Sequence, residues 1–349
     1  MNTITIGLDI AKSVFQVHGE AAGSVVLQKR LRRSQMVEFF AKLPRSLVGI
    51  EACGSAHHWA RTLRDLGHEV RLLPAAYVKP FVRRNKTDAR DAAAICTALG
   101  RPDMRFVAVK SVEQQAARAL ERSRDLLVKQ HTQLMNSVRS QLAEFGIIAA
   151  QGHRGFMALV QLVATGDARL PAVLIAALRM LSGQIEQING AITILERQIV
   201  AAARAHSAMR RLATIPGIGP LTAHAIVTAI GDGKQFTSAR DFAAWCGLTR
   251  RVDQSANTRR ERGISRQGEM RLRKLLALGA STIMRHVRSC PKRATEWQRG
   301  ILARRPVKVA VLAQAAKNAR IAWAMLQSGD AYHHSRPATQ AAGQSLLAG

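Results

Sequence analysis

The N-terminal segment of the chain alternates short predicted strands and helices, and two of its strands end in a carboxylate. Apolar residues alternate with small or polar ones over 3–9, which predicts a strand with one buried face and with Asp9 at its end on the other face. A continuously apolar strand over 46–50 ends at Glu51, and a helix over 55–66 and a further strand follow. This alternation predicts an α/β domain.

A second pair of acids follows at the start of a predicted helix. Asp88 and Asp91 are three residues apart on one helical face, and Thr87 is a candidate N-cap. In one interpretation the pair only favours the helix dipole, by about 0.3–1 kcal/mol for each acid, and Asp9 only begins a turn. In the other, two strand-terminal acids and a helix-start pair form the arrangement with which a ribonuclease-H-like sheet holds two divalent ions. Carboxylate oxygens suit Mg²⁺ or Mn²⁺, and two ions can serve the attacking and leaving oxygens of a phosphoryl transfer.

The charge of the chain indicates a polyanionic partner. Lysine and arginine number 52 against 23 acidic residues, which gives a net charge of +29 over 349 residues. Nucleic acid is the first expectation, and a membrane surface is the alternative. No uninterrupted apolar run reaches the ~20 residues of a spanning helix, and the N-terminus lacks the pattern of a secretory signal. A cytoplasmic protein that binds nucleic acid is therefore expected.

Long helices are predicted for the middle of the chain. The segment 111–145 has recurring apolar residues separated by basic ones, which predicts one long helix with a basic exterior. Over 174–199, leucine and isoleucine recur in alternating steps of four and three, the pattern of a coiled-coil seam. Packing of this seam against the preceding helix within the chain and packing against a second copy of the chain are both compatible with the pattern.

A Gly-x-Gly turn links two apolar helical segments further along the chain. The sequence Ile-Pro-Gly-Ile-Gly-Pro over 215–220 is the pattern of a helix-hairpin-helix. Gly217 and Gly219 would let backbone N–H groups approach a nucleic-acid phosphate, since no Cβ is in the way. The alternative is a tight corner between two helices that needs glycine only to turn. The surrounding positive charge favours phosphate contact.

A strongly basic stretch surrounds one serine near the C-terminal end. Residues 250–274 contain nine basic side chains against three acidic ones, and Ser255 lies there between two arginine pairs. Guanidinium groups can neutralise phosphodiester oxygens and stabilise charge during phosphoryl transfer. Two amphipathic helices, 269–286 and 306–327, are predicted after this stretch in a helical C-terminal domain. The arginines expected to contact nucleic acid are Arg250, Arg251, Arg259, Arg260, Arg262 and Arg266.

Six blocks of the sequence, in this order, resemble those of one family. They are Gly7-Leu8-Asp9-Ile10-Ala11-Lys12, Gly49-Ile50-Glu51-Ala52, Lys86-Thr87-Asp88-Ala89-Arg90-Asp91-Ala92, Ile215-Pro216-Gly217-Ile218-Gly219, Gly247-Leu248-Thr249, and Gly263-Ile264-Ser265-Arg266-Gln267-Gly268 with Leu272-Arg273. Over nearly its whole length the chain resembles the DEDD transposases of bacterial insertion sequences in the 110/1111 group, which act as RNA-guided recombinases.

The resemblance implies a fold and a set of metal ligands. It implies a RuvC-like (ribonuclease-H-like) N-terminal domain in which Asp9, Glu51, Asp88 and Asp91 hold Mg²⁺, with Mn²⁺ as a possible substitute. A coiled-coil middle follows, and then a C-terminal domain whose serine attacks DNA to form a covalent phosphoserine link. An element-encoded structured RNA would guide the enzyme to its target, and the protein would act as a homodimer or homotetramer on bacterial, nucleoid-associated DNA.

The resemblance also implies which serine is the nucleophile. In the family that serine stands in a Ser-Gly pair a few residues after a Gly-Leu-x-Pro block, and the matching residue is Ser255. Arg250 stands where the family has proline and Ala256 where it has glycine, so the loop is less free to take φ > 0 after the nucleophile. Ser265 is the alternative, although its position ahead of a predicted helix is equally that of an N-cap.

These inferences predict four segments and a function. The segments are a RuvC-like DEDD domain (1–105), a coiled-coil linker domain (106–207), a C-terminal transposase domain with the helix-hairpin-helix and the serine (208–328), and a disordered tail (329–349). The predicted function is site-specific DNA transposition with Mg²⁺-dependent strand cleavage and rejoining through a phosphoserine intermediate. The alternative enzyme is a metal-dependent Holliday-junction resolvase-like nuclease, in which water attacks and the serine only contacts phosphate. A non-catalytic nucleic-acid-binding protein, whose acids serve as caps and ion pairs, is the third hypothesis.

Overall fold

The strand predicted to end at the first carboxylate lies at the centre of a five-stranded sheet. The computed structural model describes residues 4–82, 87–255 and 258–332, and its contacts divide the chain into two units, Met1–Gln115 and Ala116–Gly349. The strands of the first unit are β1 (Thr5–Ile10), β2 (Val14–Ala21), β3 (Ser24–Arg32), β4 (Leu47–Glu51) and β5 (Glu69–Leu73). The sheet order is β3-β2-β1-β4-β5, with antiparallel pairing on the β2 side of β1 and parallel pairing on the β4 side. This mixed sheet is consistent with the predicted DEDD nuclease-like domain.

Helices cover both faces of this sheet. The helices of the first unit are α1 (Met36–Ala41), α2 (Ala56–Asp65), α3 (Ala75–Val78) and α4 (Asp88–Leu99). Ile6 and Leu8 of β1 are fully buried in a core that includes residues of α1 and α2. A second core contains Ile95 and Leu99 of α4 together with Leu73 of β5. The expectation of one buried face is therefore wrong, because α4 packs on the face that carries the small and polar residues of β1.

Glycine makes the close approach of α4 to the sheet possible. A Cβ at Gly7 would lie 2.0 Å from the carbonyl oxygen of Ala92 and 2.6 Å from the nitrogen of Cys96. Gly49, which pairs with Gly7 in the parallel register, would bring its Cβ within 3.0 Å of the Leu99 side chain. The space between the backbone of α4 and β1 at Gly7 therefore admits only the hydrogen atom that glycine carries in place of a side chain.

The second unit is mostly helical, with one small sheet. Its helices are α5 (Val112–Ala143), which begins just before the division, α6 (His153–Thr165), α7 (Ala172–Ala205), α8 (Ser207–Leu212), α9 (Pro220–Ile230), α10 (Ala239–Trp245), α11 (Met270–Ser289), α12 (Glu296–Arg304) and α13 (Val307–Ser328). Between α10 and α11, β6 (Arg250–Ser255) and β7 (Thr258–Ile264) form an antiparallel hairpin. A helical C-terminal domain was predicted, and this part of the unit is mostly helical, but the hairpin was not predicted. Its arginine-rich strands have little strand preference of their own and are held by cross-strand backbone hydrogen bonds.

The predicted leucine and isoleucine seam packs within the chain. Leu178 and Ile185 of α7 are buried in one core with Val138 and Leu142 of α5 and with residues of α6. An ion pair between Arg124 Nη2 and Glu196 Oε1, 2.5 Å apart, also joins α5 to α7. Of the two kinds of packing compatible with the seam, the structure shows the intramolecular one. A coiled coil in the strict sense stays a prediction.

A buried charge network ties three helices of the second unit together. Glu121 of α5 and His224 of α9 are each 1% exposed, and Glu121 Oε1 lies 2.6 Å from His224 Nδ1. The hydroxyl of Thr228 donates to the same oxygen at 2.9 Å. The other oxygen, Oε2, accepts from Arg271 of α11, whose Nε also donates to Asp125 Oδ2 at 2.5 Å. A buried carboxylate is costly unless it is paired in this way.

Within the described ranges, no helix combines the length and the apolar character that crossing a membrane requires. The boundaries predicted at 105/106, 207/208 and 328/329 stay predictions. Most of the predicted tail, 333–349, lies outside the described residues.

We expect Gly7→Ala to destabilise the first unit by about 1–3 kcal/mol or more, because the new methyl group meets helix backbone that cannot rotate away. Chemical denaturation measures the change. The control is Gly54→Ala, where a Cβ meets no atom within 4 Å and the effect should stay within about 0.5 kcal/mol. Equal stability of the two variants would contradict the close approach of α4.

We expect Glu121→Ala to lower the free energy of unfolding by about 1–3 kcal/mol, since it leaves the buried His224 without its carboxylate partner and Arg271 with only Asp125. Thermal or chemical denaturation provides the measurement. Glu186→Ala, at an exposed position of α7, is the matched control and should change stability by no more than about 0.5 kcal/mol. A cost for Glu121→Ala as small as that of the control would show that the network contributes little.

Candidate functional site

Three of the four predicted acids lie together in the first unit. Asp9, at the end of β1, and Asp88 and Asp91, in the first turn of α4, each offer one carboxylate oxygen, and these oxygens all lie within 4.8 Å of one another. Asp9 and Asp91 are half-buried and Asp88 is exposed. The cluster therefore opens to solvent on one side and is supported by the fold on the other.

Strand periodicity and helix capping explain why these acids meet. Gly7 and Asp9 are two residues apart in β1, so they point to the same face of the sheet, the face that α4 covers. The Thr87 hydroxyl accepts a hydrogen bond from the backbone N–H of Arg90 at 3.4 Å, which confirms Thr87 as the N-cap of α4. The cap sets the helix to begin at Asp88, and Asp91 follows on the same face three residues later.

The donor set and spacing of the cluster fit a divalent cation. Two oxygens on opposite sides of one Mg²⁺ are about 4.2 Å apart, twice the usual Mg–O distance. The three oxygens lie within 4.8 Å of one another, close to the roughly 3.0 and 4.2 Å that separate neighbouring and opposite oxygens around one Mg²⁺. Hard carboxylate ligands with an open side also leave room for water and phosphate oxygens around the ion.

Glu51 lies beside this cluster in the fold but is not one of its members. Leu8 pairs with Ile50 in the parallel register of β1 and β4, so Asp9 and Glu51 follow on neighbouring strands, whose backbones are about 4.8 Å apart. Glu51 is half-buried, and among the described residues it does not belong to the group whose oxygens lie within 4.8 Å. Its role as a fourth ligand stays a prediction.

The second set of predicted site residues lies on the β6–β7 hairpin. Ser255 ends β6, is exposed and pairs with Thr258, the first residue of β7. Asp253 pairs with Arg260, so strand alternation places both on the same face of the hairpin as Ser255. Ala256 lies outside the described residues, as does the side chain of Arg259.

One acid holds two arginines on this face. Asp253 Oδ1 lies 3.1 Å from Arg251 Nε, and Asp253 Oδ2 lies 2.6 Å from Arg262 Nε. The guanidinium groups of both arginines are largely exposed while Asp253 is half-buried. Sequence reasoning missed this function of Asp253, although an acid two residues after an arginine in a strand is a signal for such a pair.

Two models of known families match the chain. The IS110-type DEDD model, described as a transposase, matches residues 6–147, and the model described as "Transposase IS116/IS110/IS902 family" matches residues 209–296. The first match contains all four predicted acids, and the second contains the hairpin with Ser255.

Individual relatives agree with these matches. A "probable family 20 transposase" of Pseudomonas aeruginosa is 46% identical over 335 residues, which cover 95% of this chain and 99% of the relative. The chain belongs to the IS110-group transposases. It is also 38% identical to the transposase for insertion sequence element IS1111A of Coxiella burnetii, over 94% of this chain and 90% of the relative, and 37% identical to the transposase for IS1328 of Yersinia enterocolitica, over 95% and 99%.

Family membership assigns the general activity. The protein is an insertion-sequence transposase, an enzyme that cleaves and joins DNA, and DNA is its substrate. Its charge of +29 agrees with such a substrate. Family membership alone does not assign roles to Asp9, Asp88, Asp91 or Ser255.

Two glycines, one before β6 and one after β7, hold the base of the hairpin of this transposase. Gly247 (φ +69°) and Gly268 (φ +76°) adopt left-handed backbone conformations, and a Cβ on either would lie 2.2 Å or less from a backbone oxygen of the opposite segment. Arg273 Nη1 donates to the carbonyl oxygens of Cys246 and Gln267 at 3.1 and 3.0 Å. Sequence reasoning counted Arg273 only as one of the basic residues. Its place in the Leu272-Arg273 block was the signal that it has a fixed position.

Ser265 lies at the opposite end of the hairpin from Ser255. Its backbone N–H donates to the carbonyl oxygen of Thr249 at 2.8 Å, and five strand residues of about 3.4 Å each, roughly 17 Å, separate this end from Ser255. Because α11 begins at Met270 with Glu269 as its N-cap, the N-cap interpretation of Ser265 is wrong. The next residue, Arg266, has φ +57° without being glycine, a conformation that costs energy and often marks functional segments.

The two glycines of the predicted helix-hairpin-helix differ in their surroundings. Gly217 (φ +80°) faces α11, where a Cβ would lie 2.7 Å from Ile283 and 2.9 Å from the carbonyl oxygen of Gly279. Gly219, the N-cap of α9, is exposed, and a Cβ there would meet no atom within 4 Å. The corner between helices thus accounts for Gly217. Phosphate contact at the turn stays a prediction, with Gly219 the accessible member.

We expect Asp91→Asn to weaken the binding of Mn²⁺ by about tenfold or more, because one of three converging anionic ligands becomes neutral. Isothermal titration or the electron paramagnetic resonance signal of free Mn²⁺ measures the affinity without DNA. Asp103→Asn, at an exposed position of the same unit, is the control and should bind Mn²⁺ like the unmodified chain. Equal affinities of the two variants would contradict a metal site at the cluster.

Proposed function

We propose that this transposase cleaves and rejoins DNA through a covalent phosphoserine intermediate at Ser255, with Asp9, Glu51, Asp88 and Asp91 as ligands of Mg²⁺. The observation that carries the proposal is the position of Ser255. It is exposed at a strand end on a hairpin face that also carries arginines. An accessible hydroxyl among guanidinium groups is suited to attack a phosphodiester.

The proposed chemistry exchanges one phosphate ester for another. Ser255 Oγ attacks the phosphorus, its proton passes to a base or to water, and the ester bond to one DNA oxygen breaks as that oxygen takes up a proton. A DNA hydroxyl then attacks the phosphoserine, which releases the serine and forms the new strand. Because each step replaces one P–O ester bond with another, strands are rejoined without an external energy source.

The arginines of the hairpin are proposed to stabilise the charge that develops at phosphorus. Arg260 and Arg262 lie on the strand opposite Ser255, and Asp253 holds Arg262 in a defined orientation. Guanidinium groups can donate two parallel hydrogen bonds to phosphate oxygens, which places the scissile group as well as neutralising it. The ion pair with Asp253 would therefore orient the guanidinium group of Arg262 for contact with a DNA phosphate.

The carboxylates are proposed to bring the scissile phosphate into position. Bound divalent ions would supply Lewis-acid polarisation of phosphate oxygens and stabilise the leaving oxygen. The chain itself contributes the spacing of Asp9, Asp88 and Asp91, set by β1 and by the capped start of α4. Glu51 is the residue that would complete the ligand set by rotation of its side chain.

The partners proposed with this function are an element-encoded structured RNA and further copies of the chain. Base pairing would select the target sequence, a task for which an arginine-rich, aromatic-poor surface is poorly suited. A homodimer or homotetramer would provide several serines, so that several DNA strands could be cleaved and rejoined together. The predicted division into a RuvC-like domain, a linker and a transposase domain is part of the same proposal.

We expect Ser255→Ala to abolish the covalent protein–DNA adduct and strand transfer, because the substitution removes Oγ, the proposed nucleophile. The adduct is measured as a labelled DNA strand that migrates with the denatured protein. Ser265→Ala is the matched control, since it removes a hydroxyl at the other end of the same hairpin, and it should keep the adduct.

Two results would overturn the proposal. Cleavage by Ser255→Ala with unchanged products and no adduct in the unmodified enzyme would favour the resolvase-like nuclease, in which water attacks. Loss of the adduct in Ser265→Ala but not in Ser255→Ala would assign the nucleophile to the other serine.

A further inference from the structure

A cleft of about 820 Å³ lies beside the hairpin in the second unit. The base of the hairpin forms one wall, and the junction between α12 and α13 forms the other. Four arginines line it, Arg250 and Arg262 from the hairpin and Arg304 and Arg305 from the helix junction. No acidic residue is among the described residues that line it. The volume is within the ~300–1,000 Å³ of typical small-ligand pockets.

The rest of the cleft is apolar. Leu248, Ile264, Ile301, Val309 and Leu312 contribute aliphatic side chains to its lining. A cleft for phosphate alone has no need of such a surface, because phosphate oxygens are bound by donors and positive charge. The combination of guanidinium groups with an aliphatic wall is instead complementary to a ligand that has an anionic part and a flat, poorly hydrated part.

We propose that this cleft binds a single unpaired nucleotide of the DNA substrate, with its base against the aliphatic wall and its phosphate on the arginines. The proposal rests on the proposed function in that the ligand is a nucleotide of the strand that Ser255 cleaves, a few nucleotides from the break. A base within a duplex is stacked on both faces and cannot use the wall, whereas an unstacked base exposes its whole face.

The position of the cleft on the chain agrees with this ligand. Arg262 lies on the lining of the cleft and also pairs with Asp253 on the face of Ser255. A strand whose scissile phosphate is at the serine can therefore continue along the arginines toward the base of the hairpin. Arg304 and Arg305 would then contact a phosphate further along that strand, which gives these two residues a function that sequence motifs did not indicate.

The test uses a substitution that places a carboxylate on the aliphatic wall of the cleft and a matched one that places it outside the cleft. Val309 and Val307 of α13 are 40% and 39% exposed, and only Val309 is among the described residues that line the cleft. Two residues along a helix turn the side chain by about 200°, so the two positions face different ways. Val309→Glu makes the wall polar and anionic and leaves the four arginines in place.

Binding is measured by fluorescence anisotropy with two short labelled DNA duplexes, one blunt and one with a one-nucleotide 2-aminopurine overhang. The full chain carries Ser255→Ala throughout so that cleavage does not interfere. We expect the overhang to bind roughly fivefold or more tightly than the blunt duplex, and Val309→Glu to remove this preference because the carboxylate makes the wall polar and repels the phosphate. Val307→Glu should keep it, and Arg304→Gln with Arg305→Gln should weaken binding of the overhang more than of the blunt duplex.

The fluorescence of the overhanging base provides a second readout. 2-Aminopurine is quenched when it stacks on a duplex end, and the aliphatic wall offers no stacking partner, so its emission should rise on binding to the unmodified cleft and not to the Val309→Glu chain. An RNA overhang of the same sequence shows whether the site prefers deoxyribose.

Each outcome bears on the proposal. Lack of any overhang preference, or a preference that survives Val309→Glu, would overturn the nucleotide site, as would a clear preference for the RNA overhang. Because these measurements need neither the serine nor cleavage, their failure leaves the phosphoserine mechanism intact. Failure of that mechanism likewise leaves the binding result unchanged.

Discussion

The close contact between α4 and β1 at Gly7 is the constraint on which the acidic cluster of Asp9, Asp88 and Asp91 depends. With a Cβ at that position 2.0 Å from the Ala92 carbonyl oxygen, any other residue would hold the helix away from the sheet. Asp9 is two residues further along the same strand face, and Asp91 is one residue before Ala92. The distance between these carboxylates is therefore set by a backbone contact, which is more rigid than the side chains that use it.

The helices and strands of the first unit follow from local pattern, and their packing does not. The strand predicted over 3–9 is observed over Thr5–Ile10, and the helix predicted over 55–66 is observed over Ala56–Asp65. Alternation in β1 indicated which residues share a face, but small residues on a face do not reveal whether it meets solvent or a helix. The close contact at Gly7 could not be predicted from the sequence, because it is made with a helix 85 residues later in the chain.

The candidate sites were predictable to different degrees for related reasons. Three of the acids meet as expected because strand ends and helix starts are local features, whereas the position of the Glu51 side chain depends on rotamers that no pattern specifies. The β6–β7 hairpin was not predicted because its strands have no apolar face. They are held by backbone hydrogen bonds between the strands and by contacts at the base of the hairpin. Once the hairpin is recognised, strand alternation places Ser255 and Asp253 together, and a basic segment becomes an ordered surface.

An isolated two-stranded hairpin is only marginally stable in water, so this one depends on what holds it. At its base are the left-handed glycines Gly247 and Gly268 and the bonds from Arg273. Along its length the two ion pairs of Asp253 are partly exposed and contribute on the order of 1 kcal/mol or less each. Phosphates that bind the arginines would stabilise the hairpin in proportion to their affinity, because they bind the ordered form and not the open one. In the proposed mechanism, the arrangement of Ser255 would therefore be coupled to the presence of DNA, and the nucleophile would be ordered only when its substrate is bound.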